Sequence, residues 1–169
     1  MLGFFRADED AFVKELMSSN ININKLKKYI ANGVNINDVD EKGRNYLFFF
    51  AAKKNFNAIK VLISLGIDMY KEDKLGKTVL SEACEKYDFM MIRFLLDNGF
   101  DGNRKNSAGR TILQDCVLLG NDKVFQILLN YNLHFDIKDS DGRNVVFDAI
   151  ENGNLEVLKK VIDNVKDIN

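Results

Sequence analysis

Apolar residues in this chain fall into a short stripe that returns at a fixed interval. Ile59, Leu62 and Ile63 form one copy; Ile92, Leu95 and Leu96 the next; Phe125, Leu128 and Leu129 a third; Leu158, Val161 and Ile162 a fourth. Spacings of three and four put each set on one helical face, so each marks an amphipathic helix. Polar segments keep the same beat. Asp40-Glu41-Lys42-Gly43-Arg44-Asn45 is followed 33 residues later by Asp73-Lys74-Leu75-Gly76-Lys77-Thr78, then by Asn106-Ser107-Ala108-Gly109-Arg110-Thr111, then by Asp139-Ser140-Asp141-Gly142-Arg143-Asn144. Gly33, Gly66, Gly99 and Asn132 mark the interval a third time. An uninterrupted period of this length over four copies is the mark of a tandem array.

Each copy reads alike. Asn45, Thr78, Thr111 and Asn144 share a register, and all are residue types whose side-chain oxygen caps a helix N-terminus. They predict short first helices at roughly 46–53, 79–86, 112–119 and 145–152. Small residues recur inside these helices, Ala83, Cys116 and Ala149 in one register and Ala51 and Cys84 in the next, which lets neighbouring helices approach closely. Phe50 shares the first of these registers and is expected to fill space against the N-terminal segment. Gly120, Gly153, Lys54 or Tyr87 ends each first helix, and the more apolar second helix follows. Residues 1–32 carry two helical patterns but no Asp-x-x-Gly turn. Asp8 and Asp10 are expected to cap the first of these helices, through Phe12, Val13, Leu16 and Met17. The segment from Asn22 to Ile30 aligns with Asn55 to Ile63, so it reads as a repeat without its hairpin that caps the array.

The pattern resembles the ankyrin repeat, fully over 33–164 and in part over 8–32. Asp73, Gly76, Thr78, Leu80, Ala83, Leu95, Leu96, Gly99 and Asp101 match that family's motif, as do Gly43, Leu47, Ala51, Leu62, Gly66 and Asp68. The chain departs from it in having no Pro and no motif His. Tyr46, Val79, Ile112 and Val145 occupy the Pro position, and Phe48, Ser81, Gln114 and Phe147 the His position. The resemblance implies an all-α solenoid of helix-turn-helix units joined by β-hairpin loops, with hairpins loosened by the missing His. One domain is expected over 1–169, with a capping repeat at 1–32 and repeats at 33–65, 66–98, 99–131 and 132–164. Residues 165–169 read as a tail or the start of a further repeat, because Asp167-Ile168-Asn169 copies Asn35-Ile36-Asn37. Both a bare last helix and a piece of a longer array fit that ending.

Composition changes this picture little. The net charge of −1 gives no bulk field toward nucleic acid or membrane, and the apolar runs are too short to span a bilayer. Met1-Leu2-Gly3-Phe4-Phe5-Arg6 carries no signal-peptide pattern. Cys84 and Cys116 are too few for a disulfide framework. A cytoplasmic location with reduced thiols is expected, with export into a host cell also open. The abundance of Asn, Ile and Lys fits an AT-rich, bacterial genome.

Chemistry-bearing patterns are scarce. With one His, His134 in a loop register, there is no His pair for a metal or a relay. The glycines space as turns and helix stops rather than as a phosphate cradle. Asp136 to Gly142 lacks the ligand spacing and closing Glu of a calcium loop. Cys84 and Cys116 fall at small core positions and read as buried, inert thiols. No cofactor or metal and no catalytic residue is expected.

What remains are surface rows, because equivalent positions of a stacked array line up. Arg44, Lys77, Arg110 and Arg143 form a basic row that can pair with hairpin Asp40, Asp73 and Asp139. Glu82, Asp115 and Asp148, with Glu85 and Glu151, form an acidic strip. Leu118 and Leu119, and Phe48 and Phe49, stand where other copies are polar or small, and contact with a partner suits them. For Phe48 and Phe49, packing against the N-terminal segment is an equal alternative. The expected function is non-enzymatic protein binding through the concave face, which in the resembled family is built from first helices and hairpin tips. The alternative is the recognition arm of a longer enzyme or effector. A monomer is expected. Weak self-association is open to it through the C-terminal helix, whose Leu155, Val157, Leu158, Val161 and Ile162 would be bare.

Overall fold

The computed structural model describes residues 7–166, which excludes Met1–Arg6 and the copied repeat start at 167–169. Two compact units divide the chain, residues 1–75 and 76–169. The described part of the first holds helices α1 (Ala7–Leu16), α2 (Ile23–Ala31), α3 (Tyr46–Ala52) and α4 (Phe56–Ser64). The second holds α5 (Val79–Glu85), α6 (Phe89–Asp97), α7 (Ile112–Leu118), α8 (Asp122–Leu128), α9 (Val145–Asn152) and α10 (Leu155–Lys166). Among the described residues there is no strand.

Helix starts follow from local chemistry. Asn45, Thr78, Thr111 and Asn144 each accept a backbone N–H of the following first turn, as their register predicts. Asn22, Asn55, Asp88 and Asn121 do the same for α2, α4, α6 and α8. Asp8 and Asp10 are not caps. They sit inside the first turn of α1, beside Glu9, where carboxylates complement the helix dipole.

The hairpins are turns rather than strand ladders. Asp40 Oδ1 accepts the N–H groups of Lys42 and Arg44, Asn106 Oδ1 those of Ala108 and Arg110, and Asp139 Oδ1 those of Asp141 and Arg143. Such side-chain turns explain why Asp or Asn opens every copy. The missing family His does not leave them loose throughout. Gln114 accepts the Thr111 N–H through Oε1 at 3.0 Å and donates through Nε2 to the Arg143 carbonyl in the next hairpin at 3.1 Å. Thr111-x-x-Gln114 is a capping box.

Side chains also tie each repeat to the next backbone. Asn37 Oδ1 accepts the Asp68 N–H and Asn103 Oδ1 the His134 N–H, both at 2.7 Å. Asn121 Nδ2 donates to the Cys84 carbonyl at 2.9 Å.

The cores are the predicted stripes. Phe12, Leu16, Leu26, Phe50, Ile59 and Leu62 are fully buried in the first unit, and Ile92, Leu95, Phe125, Leu128 and Val161 in the second. Phe12 meets Tyr46 ring to ring at 5.7 Å, so α1 packs on α3. Val157 and Val161 are buried and Leu158 and Ile162 half-buried, so of the five apolar residues expected bare around α10 only Leu155 is exposed.

Lys54 and Tyr87 take left-handed φ values of 53° and 55° where Gly120 and Gly153 stop the equivalent helices. A side chain in this region costs about 1–2 kcal/mol. Lys54→Gly is therefore expected to raise unfolding stability by about 1 kcal/mol after the extra chain entropy of glycine, read as a higher urea midpoint at unchanged slope.

Candidate functional site

The charged residues of the predicted basic and acidic sets largely pair within each unit. In the first unit Arg44 grips Asp40 Oδ2 with Nε at 3.0 Å and a terminal nitrogen at 2.7 Å. Burial works to raise the Asp40 pKa, yet the hydrogen bonds from Arg44 and Lys42 leave it lowered. In the second unit Lys77 pairs with Glu85 at 2.7 Å, and Glu82 pairs with Lys86 one turn on. Arg143 lies 3.4 Å from Asp139, 3.2 Å from Asp141 and 4.0 Å from Glu151.

Arg110 behaves differently from its register mates. Its own hairpin opens with Asn106, not Asp, so it has no carboxylate at the position that Asp40 supplies to Arg44. It turns instead to three others. Nε donates to Asp115 at 2.7 Å, one terminal nitrogen to Asp148 at 2.9 Å, and the other reaches Asp139 at 3.5 Å. The Arg110 side chain is 13% exposed and that of Asp148 3%. Burial pushes the Asp148 pKa up, and the Arg110 hydrogen bond and charge only partly offset this. Asp148 Oδ2 has no hydrogen-bond partner. Asn106 in place of Asp was the readable signal for this cluster.

Three candidates are thereby corrected, the first being Arg110, whose side chain is only 13% exposed and held by three carboxylates. Asp148 is interior and cannot belong to an accessible acidic strip. Phe48 is buried too, part of the α3 core face rather than a contact surface; helix phase turns it inward while Phe49 stays half-exposed. The Phe49 ring meets Phe50 edge-on at 5.0 Å, with the Lys53 ammonium 5.0 Å from its centroid. Leu118 is half-buried, and Leu119, the C-cap of α7, is exposed. Accessible candidates in the second unit are then Glu82, Glu85, Asp115, Leu118 and Leu119, with Lys77 and Arg143 at its turns. In the first unit they are Arg44 and Phe49.

Other polar groups are structural. Cys84 and Cys116 are buried free thiols. Burial pushes the Cys84 pKa up strongly and that of Cys116 to about 12, a setting for inert sulfur. Among the described residues no cluster of three or more His, Cys, Asp or Glu could hold a metal ion. No helix among them is long and apolar enough to cross a membrane.

A 33-residue unit of capped helix, left-handed stop, apolar helix and Asx turn defines an all-α repeat protein. A family model described as ankyrin repeats (3 copies) matches residues 12–106 and 91–169. The chain belongs to the ankyrin-repeat family, whose repeats are generally protein–protein interaction modules. No curated protein matches the chain.

Proposed function

We propose that this chain binds a partner protein without catalysing a reaction, using the exposed surface of its first helices. The observation that carries this reading is Leu119. It is a large apolar side chain left 67% exposed at a position that is Lys86 and Asn152 in neighbouring copies. Half-buried Leu118 lies beside it, with Glu82 and Glu85 on α5 of the same unit. An apolar anchor in a unit that also carries carboxylates on α5 suits a partner segment that combines an apolar side chain with basic residues. The anchor supplies affinity and the charges set orientation. Phe49 is the corresponding anchor of the first unit.

The test is affinity capture from source-cell lysate with the wild type beside a Glu85→Lys/Leu119→Ser variant, each checked for unchanged helical circular dichroism. A protein captured by the wild type and depleted at least about tenfold by the variant supports the reading, since tenfold is 1.4 kcal/mol. Equal capture by both would remove this surface from the function.

A further inference from the structure

The first unit holds a small cleft between the Asp40 turn and α3, with a volume of about 130 Å³. Small-molecule sites run to roughly 300–1,000 Å³, so a single side chain is the largest group that this cleft takes whole. The residues around it break the repeat pattern in one direction. Val39 stands where the later copies have Glu72, Lys105 and Lys138. Phe49 stands where they have Glu82, Asp115 and Asp148, and Ala52 where they have Glu85, Leu118 and Glu151. Registers that are mostly charged elsewhere are apolar here. Val39 is 46% exposed, Phe49 half-exposed and Ala52 exposed, so this apolar surface is open to a partner rather than folded away.

The charge in the lining selects the occupant. Asp38 also lines the cleft, and its register mates are Lys71, Arg104 and Ile137. A carboxylate thus replaces a cation or an apolar residue in this one copy. Asp40 and Arg44, the other charged groups of the lining, neutralise each other through the two hydrogen bonds of their pair. Asp38 is exposed and, among the described residues, takes part in no ion pair. The lining therefore carries one uncompensated negative charge. Its field reaches Tyr46 in the same lining, whose hydroxyl pKa is pushed up by burial first and then by the charges of Glu9 and Asp38. An acidic side chain is repelled here, and an uncharged one gains nothing from Asp38. Arginine and lysine join a long methylene stem to a cationic head, which matches an apolar lining with one free carboxylate.

We infer that this cleft takes one arginine or lysine side chain of a protein partner, its stem against Val39, Phe49 and Ala52 and its cation at Asp38. The inference rests on the reading that the chain binds a protein, and it names what the first unit recognises.

Nuclear magnetic resonance of the full 169-residue chain with single-residue probes tests this without any partner protein. N-acetyl-arginine amide, titrated to about 50 mM at matched ionic strength, is expected to shift the Val39 and Ala52 methyl signals saturably, with a Kd on the order of 10 mM. N-acetyl-leucine amide, which is uncharged, is expected to bind at least about threefold more weakly. Asp38→Asn is expected to weaken the arginine probe by at least about threefold, within what an exposed ion pair supplies. Val39→Lys, the residue type of Lys105 and Lys138 in that register, is expected to abolish the Ala52 shift. Both variants are checked for unchanged helical circular dichroism. Absence of a saturable shift with the arginine probe overturns the inference. So does a leucine probe that binds within about threefold of it, an arginine affinity that Asp38→Asn lowers by less than about threefold, or an Ala52 shift that Val39→Lys retains. Because the probes replace the partner, these results are independent of capture through Leu119 and Glu85. Equal capture there removes that surface and leaves this one standing.

Discussion

Arg110→Leu is expected to destabilise the chain by about 3 kcal/mol at neutral pH, the scale for removing one partner of a buried ion pair. The cost arises less from lost attraction than from what is left behind. Asp148 is interior, its Oδ1 bonds to Arg110, and its Oδ2 has no hydrogen-bond partner. Without Arg110 a buried carboxylate keeps its desolvation cost and loses its compensation. Two further expectations separate this account from simple loss of packing. First, Asp148→Asn in the Arg110→Leu background is expected to recover at least about half the loss, a coupling that two independent sites would not show. Second, the loss is pH-dependent with a definite sign. The folded pKa of Asp148 lies above the ordinary 3.8. Its contribution is therefore fully present below that value and is lost as pH rises through the folded pKa. Removing Arg110 raises that pKa further, so the gap between variant and wild type widens from acid toward neutral pH. Asp139, with a lowered pKa, acts in the opposite sense, which is why the two proteins are compared at each pH. Urea unfolding from pH 4 to 7 reads all of this. A gap that stays constant across the range would assign the loss to packing alone.

Phe50→Ala is expected to be costlier still, about 3–5 kcal/mol, the range for emptying a fully buried aromatic site. The repeat pattern alone suggests the reverse. Positions 83, 116 and 149 in the same register are Ala83, Cys116 and Ala149, so alanine at 50 restores the consensus. The packing decides against it. Phe50 has no exposed surface and holds Phe49 edge-on at 5.0 Å. The substitution opens a cavity and removes the support of the half-exposed Phe49 ring. Urea unfolding measures the loss, and hydrogen exchange is expected to show it in residues of the first unit. A loss under about 1 kcal/mol would mean that the site collapses around the smaller side chain.

How much of this was legible depended on the range of the interaction. The starts of α3, α5, α7 and α9 follow from a cap and a turn within a few residues, and the sequence placed them correctly. The stops at Lys54 and Tyr87 were readable because a tandem array supplies Gly120 and Gly153 as templates. Orientation was harder. Phe48 and Phe49 are adjacent and chemically identical, and only the phase of α3 against its neighbours buries one and leaves the other half-exposed. Asp148 shares a register with Glu82 and Asp115, but it is buried and pairs with Arg110, 38 residues away. Long-range pairing of that kind is invisible to a periodic pattern. The Thr111-x-x-Gln114 box is a signal of four residues and was open to reading. It lay hidden behind the comparison with a motif His.

The asparagine ties between repeats bear on how such a chain can change its length. Asn37 and Asn103 each bind a backbone N–H 31 residues ahead. A duplication or deletion of one whole 33-residue period keeps the acceptor and donor registers in phase at its new junction. A gain or loss of any other size puts donor and acceptor out of phase. Growth by whole units is thus built into the hydrogen bonding, so that copy number can change between descendants while the repeat itself does not.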